Sequence, residues 1–239
     1  MIVVRGLAKQ YDGRPVLRGI DLSVVAGERV ALVGPNGSGK TTLLRALLGL
    51  IRTSGTVSIC GHDPFRDHAA AQVHIAWMPQ RAPALPAPVG ELVRAWSAFR
   101  GLPTARLLSC ADDLALDLNA LRCVPFAALS GGMQQKLLAA MALASECPIL
   151  MFDEPTANLD PQARKEFFGK LAKRTPAPTL VLSSHRMDEV RDLVDRVVVL
   201  TDGAVRFDDY LSAFLADPVL AQHAGLEPGG AVVPFRRLG

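Results

Sequence analysis

The segment "RVALVGPNGSGKTTLLRALLGL" constrains the fold of this chain more than any other stretch of its sequence. It opens on a mainly apolar run that ends in glycine, which is typical of a buried central strand. Leucines at helical spacing follow "GKTT", so the pattern G-x-x-x-x-G-K-[ST] lies between a predicted strand and a predicted helix. Glycines let backbone N–H groups wrap a chain of phosphates, and a helix N-terminus adds partial positive charge. The segment therefore predicts a nucleotide site rather than an ordinary glycine turn.

Residues 34–42 are the predicted phosphate-binding set, and three of their side chains have separate tasks. Lys40 would reach the β- and γ-phosphates of ATP, and the Thr41 hydroxyl would be a ligand of Mg²⁺. Thr42 is placed to donate a hydrogen bond to the α-phosphate. The other members form the loop itself and are Gly34, Pro35, Asn36, Gly37, Ser38 and Gly39.

The segment "PILMFDEPT" supplies the second part of the predicted site. Four apolar residues carry Asp153 to the end of a buried strand, beside the phosphate-binding loop. Asp153 would hold Mg²⁺ through a bound water, whereas the neighbouring Glu154 would polarise the attacking water. Two adjacent acids after an apolar strand are costly unless a metal and a base role use them. A strand end with incidental charges is the alternative.

Strand-like and helix-like stretches alternate along most of the chain. Hairpin strands fill the first thirty residues, and further predicted strands are "GTVSI", "HIAWM", "PILMF", "TLVLSS", "RVVVL" and "AVRF". This spacing predicts an α/β fold: a P-loop NTPase core with a mainly parallel sheet, an N-terminal antiparallel β region and an inserted α-helical subdomain. We predict a discontinuous ATP-binding core over 1–82 and 148–216, the helical subdomain over 83–147, and a loosely ordered C-terminal extension over 217–239.

Composition narrows the class of protein. The 239 residues are 49% hydrophobic and carry a formal net charge of +3 from mixed acids and bases, which indicates a globular chain without the clustered basic face that nucleic acid requires. The four cysteines follow no metal-binding spacing, which favours reduced thiols in a cytosolic protein. His62, His68 and His74 recur every six residues, a spacing of neither helix nor strand, and are predicted to be surface residues rather than ligands. No apolar run reaches the ~20 residues that span a bilayer, and the first residues do not match a signal peptide.

The segment "LSGGMQQK" has the features of a second phosphate cradle. Ser130 can cap a helix, and Gly131 and Gly132 can offer backbone N–H groups to an anion at the start of that helix. A plain capped helix in the core is the alternative. Since one ATP needs one cradle, a second cradle in so short a chain requires an explanation.

Together these segments resemble the ATP-binding subunit of ABC transporters, over roughly residues 1–210. "GPNGSGKTT" matches the first nucleotide motif of that family, "LSGGM" its signature loop and "ILMFDEPT" its acidic strand. "MPQ" supplies the Q-loop glutamine, Gln80, "ANLD" supplies the D-loop with Asp160, and "LSSH" supplies the switch histidine, His185. Six motifs in this order are far more specific than a phosphate-binding loop alone, which many NTPases share.

The resemblance implies a head-to-tail pair of such subunits, expected here to be a homodimer. Each ATP would lie between the P-loop of one chain and the signature loop of the other. Ser130, Gly131 and Gly132 would bind the γ-phosphate that the partner chain holds, which explains the second cradle. His185 would contact the γ-phosphate, and Gln80 would sense Mg²⁺ as one of its ligands.

Two more roles follow from the same resemblance. Asp160 would help to transmit the nucleotide state across the dimer. Tyr11 would stack on adenine as aromatic rings stack on bases, with an ordinary surface tyrosine as the alternative. The implied cofactors are ATP and Mg²⁺, and the implied activity is ATP hydrolysis, which removes the γ-phosphate that both chains grip and so disfavours the closed dimer.

A chain without a membrane span would need separate membrane subunits to move a substrate. The family docks such integral membrane permease subunits near the Q-loop, here residues 80–100, where Leu85 and Val89 lie among prolines. Trp96 and Phe99 follow on a predicted helix and would extend the docking patch if exposed, or belong to the core if buried. The expected location is the cytoplasmic face of the inner membrane, as a peripheral protein held by its permease.

The nature of the transported substrate is not encoded in these motifs. The spacing of "SICGHDPFRD" and "LSSHRMDEVRDLVDRVVVL" resembles ABC-2-type exporter ATPases, whose relatives serve drug export, haem export or copper delivery. A soluble ABC-type ATPase that acts on DNA or the ribosome is one alternative, although such proteins carry a long coiled coil or two ATPase halves. A non-hydrolysing regulator is another, and the presence of Glu154 and His185 argues against it.

Overall fold

The computed structural model describes residues 1–217, 219–220 and 224, and their strands form two sheets. Numbered along the chain, the strands are Ile2–Tyr11 (β1), Arg14–Val24 (β2), Arg29–Val33 (β3), Ser54–Ile59 (β4), Ile75–Met78 (β5), Ile149–Asp153 (β6), Thr179–Ser183 (β7), Arg196–Thr201 (β8) and Ala204–Tyr210 (β9). The α-helices are Lys40–Leu47 (α1), His68–Gln72 (α2), Val89–Arg100 (α3), Thr104–Asp113 (α4), Gly131–Ala144 (α5), Pro161–Lys173 (α6), Met187–Leu193 (α7) and Leu211–Leu215 (α8), with a 3-10 turn at Phe126–Ala128.

The first sheet is antiparallel, with the strand order β2-β1-β4. Asp12 and Gly13 connect β1 to β2, and both have positive φ, 49° and 77°. An Asp-Gly pair favours this two-residue hairpin turn because both residues tolerate the left-handed conformation. The predicted antiparallel β region at the N-terminus is confirmed.

The second sheet has six strands in the order β5-β6-β7-β3-β8-β9. Its pairs are parallel except β8 with β9, so the predicted mainly parallel sheet is confirmed. One strand, β7, lies between β6, which carries Asp153, and β3, which leads into the P-loop. The carboxyl ends of the parallel strands still meet at one edge of the sheet, which is where ligands bind in folds of this class.

Alternate residues of β3 pack into two different hydrophobic cores. Val30 and Leu32 belong to the cluster that contains α1 and the antiparallel sheet. Ala31 and Val33 belong to the other cluster, which contains residues of the helices α3 to α8. Each of these four side chains is fully buried. Both faces of the parallel sheet are therefore covered, and burying each Val or Leu contributes about 1.5–3 kcal/mol.

The range 83–147 contains α3, α4, the 3-10 turn and α5, and in its described residues no strand beyond an isolated bridge. Phe126 and Leu137 from this range lie in the same core as Ala31, so the helices pack directly on the sheet. The short helices α2 and α8 were not predicted, since five residues are too few to display a helical period.

Most of the predicted C-terminal extension, 217–239, lies outside the described residues, which end with 217, 219–220 and 224. All four cysteines are free thiols. The rings of His62 and His74 stack with centroids 6.0 Å apart, and His68 is exposed. Within the part of the chain that is described, no helix has the length and apolar character required to cross a bilayer.

Candidate active site

The P-loop runs from the end of β3 to the start of α1 and encloses the amine of Lys40. Lys40 Nζ donates hydrogen bonds to the carbonyl oxygens of Gly34 at 2.7 Å and Pro35 at 3.1 Å. Only 7% of the Lys40 surface is exposed. Gly39 is the N-cap of α1 and supplies no side-chain acceptor, so the first N–H groups of the helix are directed to whatever lies in the loop.

Two glycines of this loop are required by close approach of the backbone. A Cβ at Gly34 would lie 2.1 Å from the carbonyl oxygen of Leu200, and Gly34 has a φ of 148°. A Cβ at Gly39 would lie 2.9 Å from Leu17 Cδ2 and 3.0 Å from the carbonyl oxygen of Val16, and its φ is 106°. Any larger residue would displace the neighbouring strands, so these glycines fix the shape of the cradle.

The electrostatic state of the loop fits an anionic ligand. Burial lowers the pKa of Lys40 below its ordinary value, and the charges of Glu154 and Asp153 only partly oppose this effect. The hydroxyl oxygen of Ser38 is buried and has no hydrogen-bond partner in the described structure. A phosphate group would supply both the missing negative charge and the missing partner, so the residues present fit a nucleoside triphosphate.

The two acids after β6 diverge because the backbone turns between them. Asp153 is 2% exposed, and its Oδ1 accepts a 2.5 Å hydrogen bond from the Ser183 hydroxyl on β7. Glu154 has a φ of 48°, in the left-handed region that costs a non-glycine residue about 1–2 kcal/mol. Its backbone N–H donates to the carbonyl oxygen of Ser183 at 3.0 Å, which holds that conformation.

Two of the three predicted catalytic side chains converge on a carboxylate oxygen of the third. Gln80 Nε2 donates a 2.7 Å hydrogen bond to Glu154 Oε2. His185 Nδ1 lies 3.6 Å from the same Oε2. Gln80 and His185 follow β5 and β7, the two strands on either side of β6, so the parallel sheet brings them to Glu154.

The three predicted magnesium ligands line a single groove. Thr41, Gln80 and Asp153 all contribute to its wall, and the groove has a volume of about 440 Å³. A hydroxyl, an amide oxygen and a carboxylate are the hard oxygen donors that Mg²⁺ prefers. The Gln80 amide nitrogen is engaged with Glu154, so the amide oxygen is the atom that remains for a metal. These residues fit the ion.

The signature loop lies at a separate place on the surface. Ser130 is the N-cap of α5, and its hydroxyl accepts from the Met133 N–H at 3.3 Å. Ser130 and Gly132 line a pocket with Asp160 that shares no lining residue with the magnesium groove. A Cβ at Gly131 would meet no atom within 4 Å, so this helix start is open. The chain thus presents its two cradles on different surfaces.

Asp160 connects the D-loop to the signature helix. It is the N-cap of α6 and accepts a 2.8 Å hydrogen bond from the Ala163 N–H, while Lys136 Nζ on α5 lies 2.9 Å from its Oδ2. These two partners lower the pKa of Asp160 below its ordinary value, the Ala163 N–H having the larger effect. Asp160 therefore contacts α5 of its own chain as well as capping α6.

Tyr11 lies at the end of β1 with 43% of its surface exposed. The amine of Lys9 lies 4.8 Å from the centre of the Tyr11 ring, and Lys9 also donates a 2.9 Å hydrogen bond to the carbonyl oxygen of Arg52. The hairpin that begins here returns through Val16, whose carbonyl oxygen borders the P-loop glycine Gly39. The exposed ring of Tyr11 thus lies at the end of a hairpin whose other strand reaches the P-loop, and its stack on adenine stays a prediction.

Sequence reasoning missed several residues that hold this site together. They include Ser183, which binds Asp153, and the buried Glu189, which binds the hydroxyls of Thr156 and Ser184. The parallel register pairs Asp153 with Ser183, so the serine could have been found once β6 and β7 were recognised as neighbours. The sequence around Glu189 carries no comparable signal.

The family model for ABC transporters matches residues 17–157 of this chain, a range that includes the P-loop, the signature loop and the acidic strand. This chain belongs to the ABC transporter family. The resemblance of its motifs to this family is thereby confirmed.

Relatives of this member of the ABC transporter family differ greatly in length. A putative ABC transporter ATP-binding protein of Streptomyces coelicolor is 36% identical over 94% of this chain and 88% of its own length. The Nod factor export ATP-binding protein I of Ralstonia nicotianae is 35% identical over 85% of this chain and 65% of its own. The human phospholipid-transporting ATPase ABCA7 is 37% identical over 84% of this chain, which spans only 10% of that protein.

Solved structures share the fold of this member of the ABC transporter family. An ATP-binding subunit of an ABC transporter superimposes with a TM-score of 0.81 at 26% identity, covering 92% of this chain and 94% of that one. The ATP-binding cassette MJ0796, a dimer in a post-hydrolysis state with ADP and Pi, gives 0.79 at 27% identity over 88% and 99% of the two chains. A bacterial Atm1-family ABC exporter with ATP bound gives 0.81 at 25% identity over 93% of this chain and 41% of that one.

Proposed function

We propose that Glu154 is the general base of ATP hydrolysis in this ABC ATPase. The observation that carries the proposal is the convergence of Gln80 and His185 on Glu154 Oε2, at 2.7 and 3.6 Å. A carboxylate oxygen held at the edge of the P-loop can accept a proton from water as the water attacks the γ-phosphate. His185 would donate to the γ-phosphate and hold the reacting geometry, and Lys40 would bind the β- and γ-phosphates.

The remaining P-loop residues would bind and orient the nucleotide. Thr42 would donate to the α-phosphate, and the Ser38 hydroxyl would find its missing partner on a phosphate oxygen. Mg²⁺ held by Thr41, Gln80 and Asp153 would neutralise phosphate charge during transfer. Tyr11 would stack on the adenine ring, a contribution of about 1–3 kcal/mol.

We propose that two copies of this chain bind two ATP molecules between them. The separation of the two cradles supports this assembly, since Ser130 and Gly132 line a pocket that none of the P-loop residues reaches. With the chains head to tail, the open helix start at Gly131 would meet the γ-phosphate held by the other copy. Asp160, which contacts Lys136 on the signature helix, would relay a change at this boundary. The cassette MJ0796, which is similar to this chain, is a dimer with ADP and Pi, and this supports a dimeric assembly here.

Membrane permease subunits are proposed to dock at the groove next to Gln80. Leu50, which is 56% exposed, and Pro83 line the groove together with the magnesium ligands, so a docked helix would touch the hydrolysis site. Of the apolar residues predicted for this patch, Leu85 and Phe99 are exposed. Val89 is fully buried, because it is the first residue of α3 and packs into the core, and cannot belong to the patch.

Trp96, which the sequence left open as either a docking residue or a core residue, is closer to the second. It is partly buried and packs against the core that covers the parallel sheet. Phe99, three residues later, is 68% exposed and stacks with the guanidinium of Arg100 at 5.1 Å. The proposed docking surface is therefore the groove residues with Leu85 and Phe99, and not the buried side of α3.

Export through a separate permease at the inner membrane is the proposed transport function. Two relatives and one solved structure bear on it: a Nod factor exporter component, a phospholipid-transporting ATPase and an Atm1-family exporter. The substrate of this chain is left open between the drug, haem and copper-related classes. The proposed subdomain boundaries stay at 83 and 147, and the proposed docking surface has residues on both sides of the first boundary.

The test is to isolate tagged protein from detergent-extracted membranes and identify its partners by mass spectrometry, with two matched leucine variants. Leu50→Arg places a charge in the groove, and Leu215→Arg places it on α8, where 38% of the leucine is exposed. The proposal expects a stoichiometric multi-span membrane protein with the wild type and Leu215→Arg, and its loss with Leu50→Arg. Ribosomal or DNA-maintenance proteins in its place would overturn the transport function in favour of a soluble ATPase.

A further inference from the structure

Glu189, on α7, is a buried carboxylate to which the proposed chemistry gives no role. Only 3% of its surface is exposed, and both of its oxygens accept hydrogen bonds. The Thr156 hydroxyl donates to Oε1, and the Ser184 hydroxyl donates to Oε2 at 2.6 Å. Because an isolated buried carboxylate is strongly disfavoured, these two donors are required by its position.

The two chain neighbours of His185 are both attached to Glu189. Ser184 precedes His185 and binds Glu189 through its hydroxyl, which in turn accepts a 3.0 Å hydrogen bond from the Arg186 N–H. Arg186 follows His185, and its Nε lies 3.5 Å from Glu189 Oε1. The backbone on either side of the histidine is thereby tied to one carboxylate.

The same carboxylate is tied to the loop that carries the proposed base. Thr156 lies two residues after Glu154, and its hydroxyl shares Glu189 Oε1 with the arginine. The loop is held from its other side by Gln135 of α5, whose buried Nε2 donates to the carbonyl oxygen of Pro155 at 2.9 Å. Glu189 therefore adds a bridge between the two loops beyond the hydrogen bonds of the Glu154 N–H to the hydroxyl and carbonyl oxygens of Ser183.

We propose that Glu189 is a positioning residue, which holds the His185 loop against the Glu154 loop so that both side chains stay in reacting geometry. The inference rests on the roles proposed above for His185 and Glu154. His185 Nδ1 lies 3.6 Å from Glu154 Oε2, and the two residues belong to loops after different strands. Loss of the bridge would release Thr156 from the residues on either side of His185, and a displacement of about 1 Å at a reacting group lowers turnover about 100-fold.

A double-mutant cycle of Glu189→Ala and His185→Ala tests the inference on the full chain. The measurements are kcat at saturating MgATP, the affinity for a non-hydrolysable ATP analogue and the thermal midpoint of each variant. Glu189→Ala is expected to lower kcat at least tenfold while changing analogue affinity less than about twofold, because Lys40 lies on a different loop. Once His185 is absent, adding Glu189→Ala is expected to cause little further loss of kcat. Asp192→Ala, which removes an exposed carboxylate from the same helix, is the matched control and is expected to retain full turnover.

Equal fold-losses of kcat from Glu189→Ala in the presence and absence of His185 would overturn the inference, since a general loss of structure acts in both backgrounds alike. If His185→Ala alone leaves kcat unchanged, the proposed role of the histidine fails along with the inference. Thr156→Val is a second variant with nearly the same volume, for use if Glu189→Ala does not fold. It is expected to show the same dependence on His185, and independence would again overturn the proposal.

Discussion

Gln80 donates a 2.7 Å hydrogen bond to Glu154 Oε2, the same oxygen that lies 3.6 Å from His185 Nδ1. The three residues follow three adjacent parallel strands, so their meeting point is a product of the sheet order. Glu154 Oε2, which is proposed to accept a proton from water, is therefore in contact with Gln80, the proposed Mg²⁺ sensor. It also lies close to His185, which is proposed to contact the γ-phosphate. Movement of either residue alters the access of water to the base, which makes hydrolysis depend on a complete site.

Glu154→Gln is expected to lower ATP turnover about 100-fold or more, because an amide cannot accept a proton from water. The substitution keeps the shape of the side chain, so ATP binding is expected to persist and an ATP-bound dimer to accumulate. Turnover is measured by phosphate release, and the dimer by size-exclusion chromatography with light scattering. Glu91→Gln, an exposed position on α3, is the control. Normal turnover in Glu154→Gln would show that another group is the base.

Lys40→Ala is expected to weaken ATP binding by about 1.5–3 kcal/mol, or about 10- to 150-fold, since it removes a charge-assisted hydrogen bond to phosphate. Isothermal titration with a non-hydrolysable ATP analogue measures the change. Lys165→Ala alters an exposed lysine on α6 and is expected to bind the analogue with unchanged affinity. Equal affinities for the two variants would remove Lys40 from the phosphate site.

Burial lowers the pKa of Lys40, and this shift predicts how ATP affinity depends on pH. The protonated amine binds phosphate, so the complex holds the proton more tightly than the free protein does. Above the pKa of the free protein, affinity therefore falls as pH rises, by up to about tenfold per pH unit. The decline is expected to begin at a lower pH than for an exposed lysine. Analogue titrations from pH 7 upward, in a Tyr11→Phe background that lacks the ionisable tyrosine, measure it.

Lys40→Arg is the control for this pH dependence, because a guanidinium keeps its charge throughout the range. In the same Tyr11→Phe background it is expected to bind the analogue more weakly but with an affinity that does not change with pH. The same alkaline decline in Lys40→Arg would assign the titration to another group.

Local patterns predicted the parts of this fold that local chemistry decides. The apolar run of β3, the glycine loop and the leucines of α1 are contiguous, so the nucleotide site could be predicted from the sequence. The order of the strands in the sheet could not be predicted, since placing β7 between β3 and β6 depends on contacts between distant segments. For the same reason the sequence gives no sign of Glu189, whose partners Thr156 and Ser184 follow two different strands.

Ser130→Arg distinguishes the two-copy site from a site completed within one chain. The arginine would enter the open space beside Gly131, where the partner's phosphate is proposed to bind. The substitution also removes the N-cap of α5, which lowers the stability of the protein by only about 1 kcal/mol. In a Glu154→Gln background, ATP binding by each monomer is expected to stay within about twofold, because the P-loop lies elsewhere. Dimerisation with ATP, followed by light scattering, is expected to be lost. Ser212→Arg on the exposed side of α8 is the control and is expected to dimerise. An ATP-dependent dimer in Ser130→Arg would contradict the shared site, because the signature loop would then have no contact with the nucleotide across the interface.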